Sequence, residues 1–384
     1  MKIIIIGPAH PYRGGLATFN ECIAQQYQKE GEEVRIETFT LQYPSFLFPG
    51  KTQYTTDPAP QGVEIVRTIN TVNPFNWIKV GKRLRKENAD LVLLRYWMPF
   101  MAPCMGTIGR IIRKNKKTKV VGLVDNIIPH EKRIGDSMLS NYYVKGMDAF
   151  VVLSDAVKEE LRQFDKEKPC LVLPHPTYDH YGKLMSKQEA AKLLGLDASA
   201  QYILFFGFIR DYKGLDILMR AYADERMAER NIQLVVAGEF YNNADKYHAL
   251  EKELGLTGKI HWFSDYIPNE EVTRFFSLAD LVVQPYKTAT QSGISQMAYH
   301  FEKPMVVTEV GGLPEIVPHG KVGYVVPIDP QAVADAIVDF YDHHQASDFI
   351  PYIKEEKKKY TWQKFCERTK EMVKSPIFAL LKTF

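Results

Sequence analysis

The chain has 384 residues, 45% hydrophobic and 25% charged, enough for two globular cores and too long for one ordinary domain. Its four cysteines (Cys22, Cys104, Cys170, Cys366) lie far apart, with no CxxC pair or histidine cluster beside them; this argues against a disulfide framework or a zinc site and for reduced thiols in the cytoplasm. The net charge of +3 is unevenly spread: residues 1–180 hold 25 Lys and Arg against 19 Asp and Glu (+6), the remainder 24 against 27 (−3).

Ile3 to Ile6 is the only N-terminal apolar run. It is too short for a signal peptide or a spanning helix and predicts a buried strand. No other stretch could cross a bilayer, so the expected place is the cytoplasm or the inner face of the cell membrane. The next segment, GPAHPYRGGLATF, sets Gly14 and Gly15 before a helix. It is not GxGxxG, so no dinucleotide fingerprint is supported, but a glycine loop still lets backbone amides face a ligand.

The runs EVRIETF, VEIVRT, DLVLLRY, KVVGLVD, AFVVLS and CLVLPH continue the first series, each followed by a helix-like segment. Between them lie an aromatic loop, YPSFLFPG (43–50), and a stretch, 79–119, with 12 basic and 2 acidic residues. Those two segments read either as local packing and solvated helix faces or as a surface approaching an anionic membrane. After the fifth run, LVDNIIPHEKR offers Asp125, Asn126, His130 and Glu131 as an acid/base or hydroxyl-binding cluster.

Periodicity breaks at PHPTYDHYGKLMS, and a second series follows: YILFFG, IQLVVAG, KIHWF, LVVQPY, PMVVTE and GYVVPI. Runs apolar throughout, alternating with helices, indicate parallel sheets covered on both faces. The expected fold class is therefore α/β, with two doubly wound, Rossmann-like domains at 1–178 and 179–361. A polar helical tail, about 362–384, either caps the second domain or returns to the first.

In open α/β sheets ligands bind beyond the carboxyl ends of the strands. In FFGFIRDYKG, Gly207 ends a strand, and Arg210 and Lys213 follow in the turn. They form either a diphosphate clamp or a solvated turn. In QSGISQ, Ser292 and Gly293 open a helix, either as an anion site built on free amides and the helix dipole or as a plain N-cap. In EVGGLPEIV, the Gly311–Gly312 turn precedes Glu315, which either holds a sugar hydroxyl or serves the helix dipole. No DxD occurs, so no carboxylate pair for a metal on a diphosphate is visible.

Together these segments resemble a GT-B glycosyltransferase of glycosyltransferase family 4, over essentially the whole chain and most strongly from 203 to 327. GFIRDYKG follows the family's strand, glycine and basic turn; AGEF carries Glu239 in its Ala-Gly-Glu turn. SQMAYHFEKPMVVTEVGGLPE fits the frame of EAMAxGxPVV and GGxxE without gaps. Both glutamates of the usual Glu-x7-Glu motif are missing: Thr288 and Gln296 stand in their places. Arg210 stands three residues before the lysine instead of five, and Asp125 occupies the place of a histidine common after strand five.

The resemblance implies two domains facing a central cleft, with the acceptor on the first and the donor nucleotide on the second, and the tail helix crossing back to the first. It implies a retaining, metal-independent hexosyltransferase that takes a nucleoside-diphosphate sugar, UDP- or GDP-linked, and requires no further cofactor. The expected catalytic set is Arg210, Lys213, Asp125 and His130. The expected donor pocket adds Gly14, Gly15, Gly207, Glu239, Tyr266, Ile267, Thr288, Ser292, Gly293, Ile294, Gln296, Gly312 and Glu315. Implied acceptors are glycans or lipid-linked saccharides of capsule, O-antigen or exopolysaccharide synthesis, with no nucleic acid. A catalytically silent glycan- or nucleotide-binding subunit and a nucleotide-sugar epimerase are the other readings.

Overall fold

The computed structural model describes residues 1–44, 52–56, 58–129, 133–178, 181–241, 244–343 and 346–375. It divides into two compact units, Met1–Pro174 with Trp362–Phe384, and His175–Thr361. The expected boundary at 178 moves to 174. The reason is local: Thr177 donates from both its backbone N–H (2.8 Å) and its hydroxyl (3.0 Å) to the carbonyl of Tyr360.

The first unit holds β1 (Lys2–Ile6), β2 (Glu33–Leu41), β3 (Glu64–Asn70), β4 (Leu91–Tyr96), β5 (Lys119–Val124), β6 (Ala149–Val152) and β7 (Cys170–Val172). They form one parallel sheet in the order β3-β2-β1-β4-β5-β6-β7. Ile3 to Ile6 and Leu91 to Leu94 are fully buried, as central strands covered on both faces must be. The second unit holds β8 (Gln201–Phe206), β9 (Ile232–Ala237), β10 (Ile260–Phe263), β11 (Leu281–Gln284), β12 (Met305–Thr308) and β13 (Gly323–Val326). Their order is β10-β9-β8-β11-β12-β13, again all parallel. All thirteen apolar runs are strands.

Each sheet reverses its strand order once, between β1 and β4 and between β8 and β11. Crossovers leave such a point in opposite directions, which opens a crevice at the carboxyl ends of the two strands. The helix Trp362–Lys374 packs on the helix Gly15–Lys29 of the first unit. Phe19, fully buried, meets Trp362 and Phe365 edge-on at 5.0 and 5.5 Å between ring centres. Lys370 closes the contact on Glu30 (2.7 Å) and Glu32 (2.9 Å).

Candidate functional site

The second unit's reversal point gathers the predicted residues. β8 ends at Gly207, whose φ of +94° suits glycine. A Cβ there would lie 3.0 Å from Lys213 Nζ and 3.2 Å from Ile294 Cδ1. The turn after β8 and the helix after β11, Gly293–His300, therefore converge on one spot. Gly238, of the Ala-Gly-Glu turn, backs onto it: its Cβ would fall 2.3 Å from the Gly207 carbonyl. Next to it Glu239 is buried, and its carbonyl accepts from Ile209 N–H at 2.9 Å.

Lys213 ends a short 3-10 turn, Asp211–Lys213, fixed by the left-handed Gly214. A side chain on Gly214 would meet the Pro285 carbonyl at 1.9 Å. Only 9% of Lys213 is exposed, and its ammonium has no hydrogen bond or ion pair among the described residues. The ring of Tyr286 lies 5.8 Å from it. Burial first, then the neighbouring Arg210, lowers its pKa to about 8. A buried cation so placed costs free energy until an anion arrives. Arg210 is half-buried, its guanidinium 4.1 Å over the Tyr241 ring and 5.6 Å from that of Tyr212.

Ser292 caps the helix Gly293–His300 with its hydroxyl, accepting from Ile294 N–H (3.2 Å) and Ser295 N–H (3.4 Å). The helix start is thus partly self-satisfied, and Gly293 N–H is the donor there with no partner among the described residues. The cap is itself held. Ser292 and Ser295 both donate to Gln284 Oε1, at 2.6 and 3.0 Å, and Gln284 is the last residue of β11. Gln284 was missed from the sequence, although a polar residue ending the run LVVQ was the available signal.

Gln296 is fully buried on the same helix, and neither amide atom has a partner among the described residues. Thr288 is exposed in the loop after β11. Gly311 packs so closely that its Cβ would meet the Ala289 carbonyl at 1.5 Å, so the loops after β11 and β12 are joined. Gly312 is buried beside it, and Glu315 is exposed in the one-turn helix Leu313–Ile316. Tyr266 and Ile267 are half-buried after β10, the edge strand two places from β8. Also missed was Asp211, which takes the ammonium groups of Lys246 and Lys287 and so pins the basic turn to the residues after β11.

In the first unit, Gly14 (φ +100°) and Gly15 open the helix Gly15–Lys29 after β1, as the glycine loop predicts. Asp125 has a different task from the free acid/base expected. Arg95, 1% exposed on β4, donates to Asp125 through Nε (2.8 Å) and Nη2 (2.6 Å), and to Asn20 through Nη1 (3.1 Å). Both carboxylate oxygens are committed to a buried ion pair that stacks under Phe19 at 4.2 Å. Breaking such a pair leaves an uncompensated charge, which makes Asp125 a positioning residue for the β1, β4 and β5 ends. His130 and Glu131 lie outside the described residues, as do 45–50 of the aromatic loop.

With this geometry in hand, comparison with known proteins is informative. Residues 200–343 match the family described as Glycosyl transferases group 1. The match falls wholly within the second unit. It contains the whole of the basic turn, the capped helix and the Gly311–Gly312 loop. The chain is 26% identical over 264 residues to D-inositol 3-phosphate glycosyltransferase of Corynebacterium urealyticum, covering 65% of this chain and 61% of that one. It is 28% identical over 278 residues to the protein of the same name from Streptomyces scabiei, covering 67% and 61%. The chain thus spans about three fifths of these relatives' length. Among solved structures it is similar to sucrose-phosphate synthase from Thermosynechococcus elongatus (TM-score 0.76, 16% identity, 99% of this chain and 100% of that). It is also similar to Anabaena HepE in complex with UDP and glucose (0.73, 17%, 97% and 99%). These likenesses establish the fold: two Rossmann-like units of the GT-B kind.

Proposed function

We propose that the protein is a retaining glycosyltransferase that moves a hexosyl unit from a nucleoside-diphosphate sugar to a glycan or lipid-linked saccharide. The observation that carries this reading is the buried, unpaired ammonium of Lys213 at the reversal point of the second unit. Transfer breaks the bond between the anomeric carbon and the diphosphate oxygen, and negative charge grows on the departing diphosphate. Lys213, Arg210 and the Gly293 N–H are donors of the sort that meet such charge, and the burial of Lys213 makes its charge count for more than in water. The relatives are glycosyltransferases by name, and HepE has been captured with UDP and glucose; the second supports a nucleoside-diphosphate sugar as donor, UDP- or GDP-linked in our reading. The acceptor is assigned to the first unit, and capsule, O-antigen or exopolysaccharide synthesis remains its proposed pathway.

Loss of both motif carboxylates, at Thr288 and Gln296, weighs on donor binding more than on support of the leaving group. The deciding experiment is acceptor-dependent release of nucleoside diphosphate, with product analysis, for the wild type and Lys213→Ala. The variant should lose on the order of 2–4 kcal/mol of transition-state stabilisation, as for removal of one oxyanion donor. Near-wild-type turnover in Lys213→Ala would sink the assignment. Nucleotide binding without acceptor product in the wild type would favour a silent binding subunit.

A further inference from the structure

The donor site belongs to the second unit; a separate feature of the first unit has no part in it. Helix Ala102–Arg113 lies between helices Pro74–Glu87 and Asp136–Val144 and packs against both. The seams are close and polar-stitched. A Cβ on Gly81 would meet Ile111 at 3.0 Å, Asn115 donates to the Arg85 carbonyl at 3.0 Å, and the Arg110 guanidinium lies 3.7 Å over the Tyr142 ring. Three helices thus form one continuous outer face.

That face is unusual in two ways at once. Large apolar side chains stand out of it: Phe75 is 84% exposed and Met138 72%, with Ile78 and Tyr142 one helical turn further along their helices. Tyr142 also serves the seam through Arg110, but Phe75, Ile78 and Met138 are not among the buried residues that pack these helices, which are Val80 and Leu84 in one and Tyr143 and Val144 in the other. Around them Lys79, Lys82, Arg85, Lys86, Lys114 and Lys117 are exposed and have no ion pair among the described residues. The contrast within the same elements is informative. Arg83 is held by Glu37 and Glu87, and Arg113 by Asp148, so the cations the fold uses are paired and those facing outward are not.

Exposed aromatic and aliphatic side chains among unpaired lysines complement a layer that is apolar inside and anionic at its surface. A polyanion without an apolar interior would leave the exposed Phe75, Ile78 and Met138 unused; it is their grouping on one face with the unpaired lysines that points to a bilayer. We propose that this three-helix face rests on an anionic phospholipid bilayer, with Phe75, Ile78 and Met138 entering the interface and the lysines meeting lipid phosphates. The inference deepens the acceptor half of the function proposed above, since a lipid-linked saccharide is presented at such a surface. Its residues are those of the first unit alone.

The test is co-sedimentation of the full chain with vesicles of phosphatidylcholine, with and without phosphatidylglycerol, alongside nucleotide binding by the same samples. Binding should require phosphatidylglycerol and fall steeply with added salt. Lys79→Glu with Lys82→Glu, and separately Phe75→Ser with Met138→Ser, should each lower it at least tenfold. All four positions are exposed, so the variants should keep the wild-type thermal transition. Equal binding to phosphatidylcholine alone, no binding to either vesicle, or binding untouched by both double variants would overturn the proposal. So would concentration-dependent self-association lost in the Phe75→Ser/Met138→Ser variant, which would give this face to a second copy of the chain. Lost vesicle binding with intact nucleotide binding removes only the lipid inference; the reverse removes only the donor reading.

Discussion

At the scale of single residues, the proposed donor site includes two polar side chains, Lys213 and Gln296, that the isolated fold leaves unsatisfied. Lys213 is held at a pKa of about 8, against 10.5 for a lysine in water. Keeping it charged at neutral pH therefore costs on the order of 3 kcal/mol. The sign follows from proton counting. Between pH 8 and 10.5 the unfolded chain binds the proton that the folded chain has shed, so the stability of the second unit should rise with pH across that window. Chemical denaturation of the ligand-free protein at pH 7, 8 and 9 should show a shallower rise for Lys213→Met than for the wild type; a rise remains in the variant because burial also lowers the pKa of Lys303 to about 8. Diphosphate affinity should run the other way, falling as the ammonium deprotonates above pH 8. Gln296 is the neutral counterpart. With both amide atoms buried and unpartnered, replacement by the similarly shaped Met removes a desolvation cost of about 1–3 kcal/mol. Gln296→Met should therefore raise the midpoint of thermal unfolding while weakening nucleotide binding in a calorimetric titration. A variant neither stabilised nor weakened would deny the amide any role. In the same enclosure an unpaired carboxylate would face a steeper desolvation penalty than this amide.

At the scale of elements, legibility tracked how local the determinants were. Every strand could be read because a central parallel strand must be apolar on both faces, and the runs from IIII to YVV say so without tertiary context. Gly207, Lys213 and Ser292 were also readable, since glycine, cation and cap lie where strands end at a reversal point. The ion pair of Asp125 was not legible because its partner, Arg95, is thirty residues away and sits mid-run in LVLLRY, where an arginine looks like an interruption. Gln284 escaped for the same reason: its two serine partners stand on the next helix. The tail helix was legible as a helix, and the resemblance sent it back to the first unit, where it lies; the side chains that hold it there were not legible. Its Phe365 faces Phe19 at 5.5 Å and is 3% exposed. Phe365→Ala should cost about 3–5 kcal/mol and lower the unfolding of the first unit alone, read by hydrogen exchange on β1 and β4. Equal loss of protection on β8 and β11 would contradict the division of the chain into two units.

At the scale of the whole molecule, the chain begins and ends in the first unit, and the second is an insertion between Pro174 and Trp362. An insertion can fold independently when its ends meet and no side chain it needs is left behind. The first condition holds: Thr177 N–H and hydroxyl bind the Tyr360 carbonyl, and Tyr360 packs on Tyr299 at 5.1 Å within the same unit. The donor cluster, from Gly207 to Glu315, lies wholly inside these ends. The fragment 175–361 should therefore unfold in one cooperative transition and keep the nucleotide affinity of the full chain. Nucleoside diphosphate at a hundred times its dissociation constant should add about 2.7 kcal/mol to that transition. The fragment 1–174 should fare worse, because without the helix Trp362–Lys374 it exposes Phe19 and strands Glu30 and Glu32 without Lys370. A fragment 175–361 that folds but shows no nucleotide shift, beside a full chain that does, would mean that the donor site needs groups from the first unit. Gly14 and Gly15, on the loop after β1, would then be the first residues to substitute.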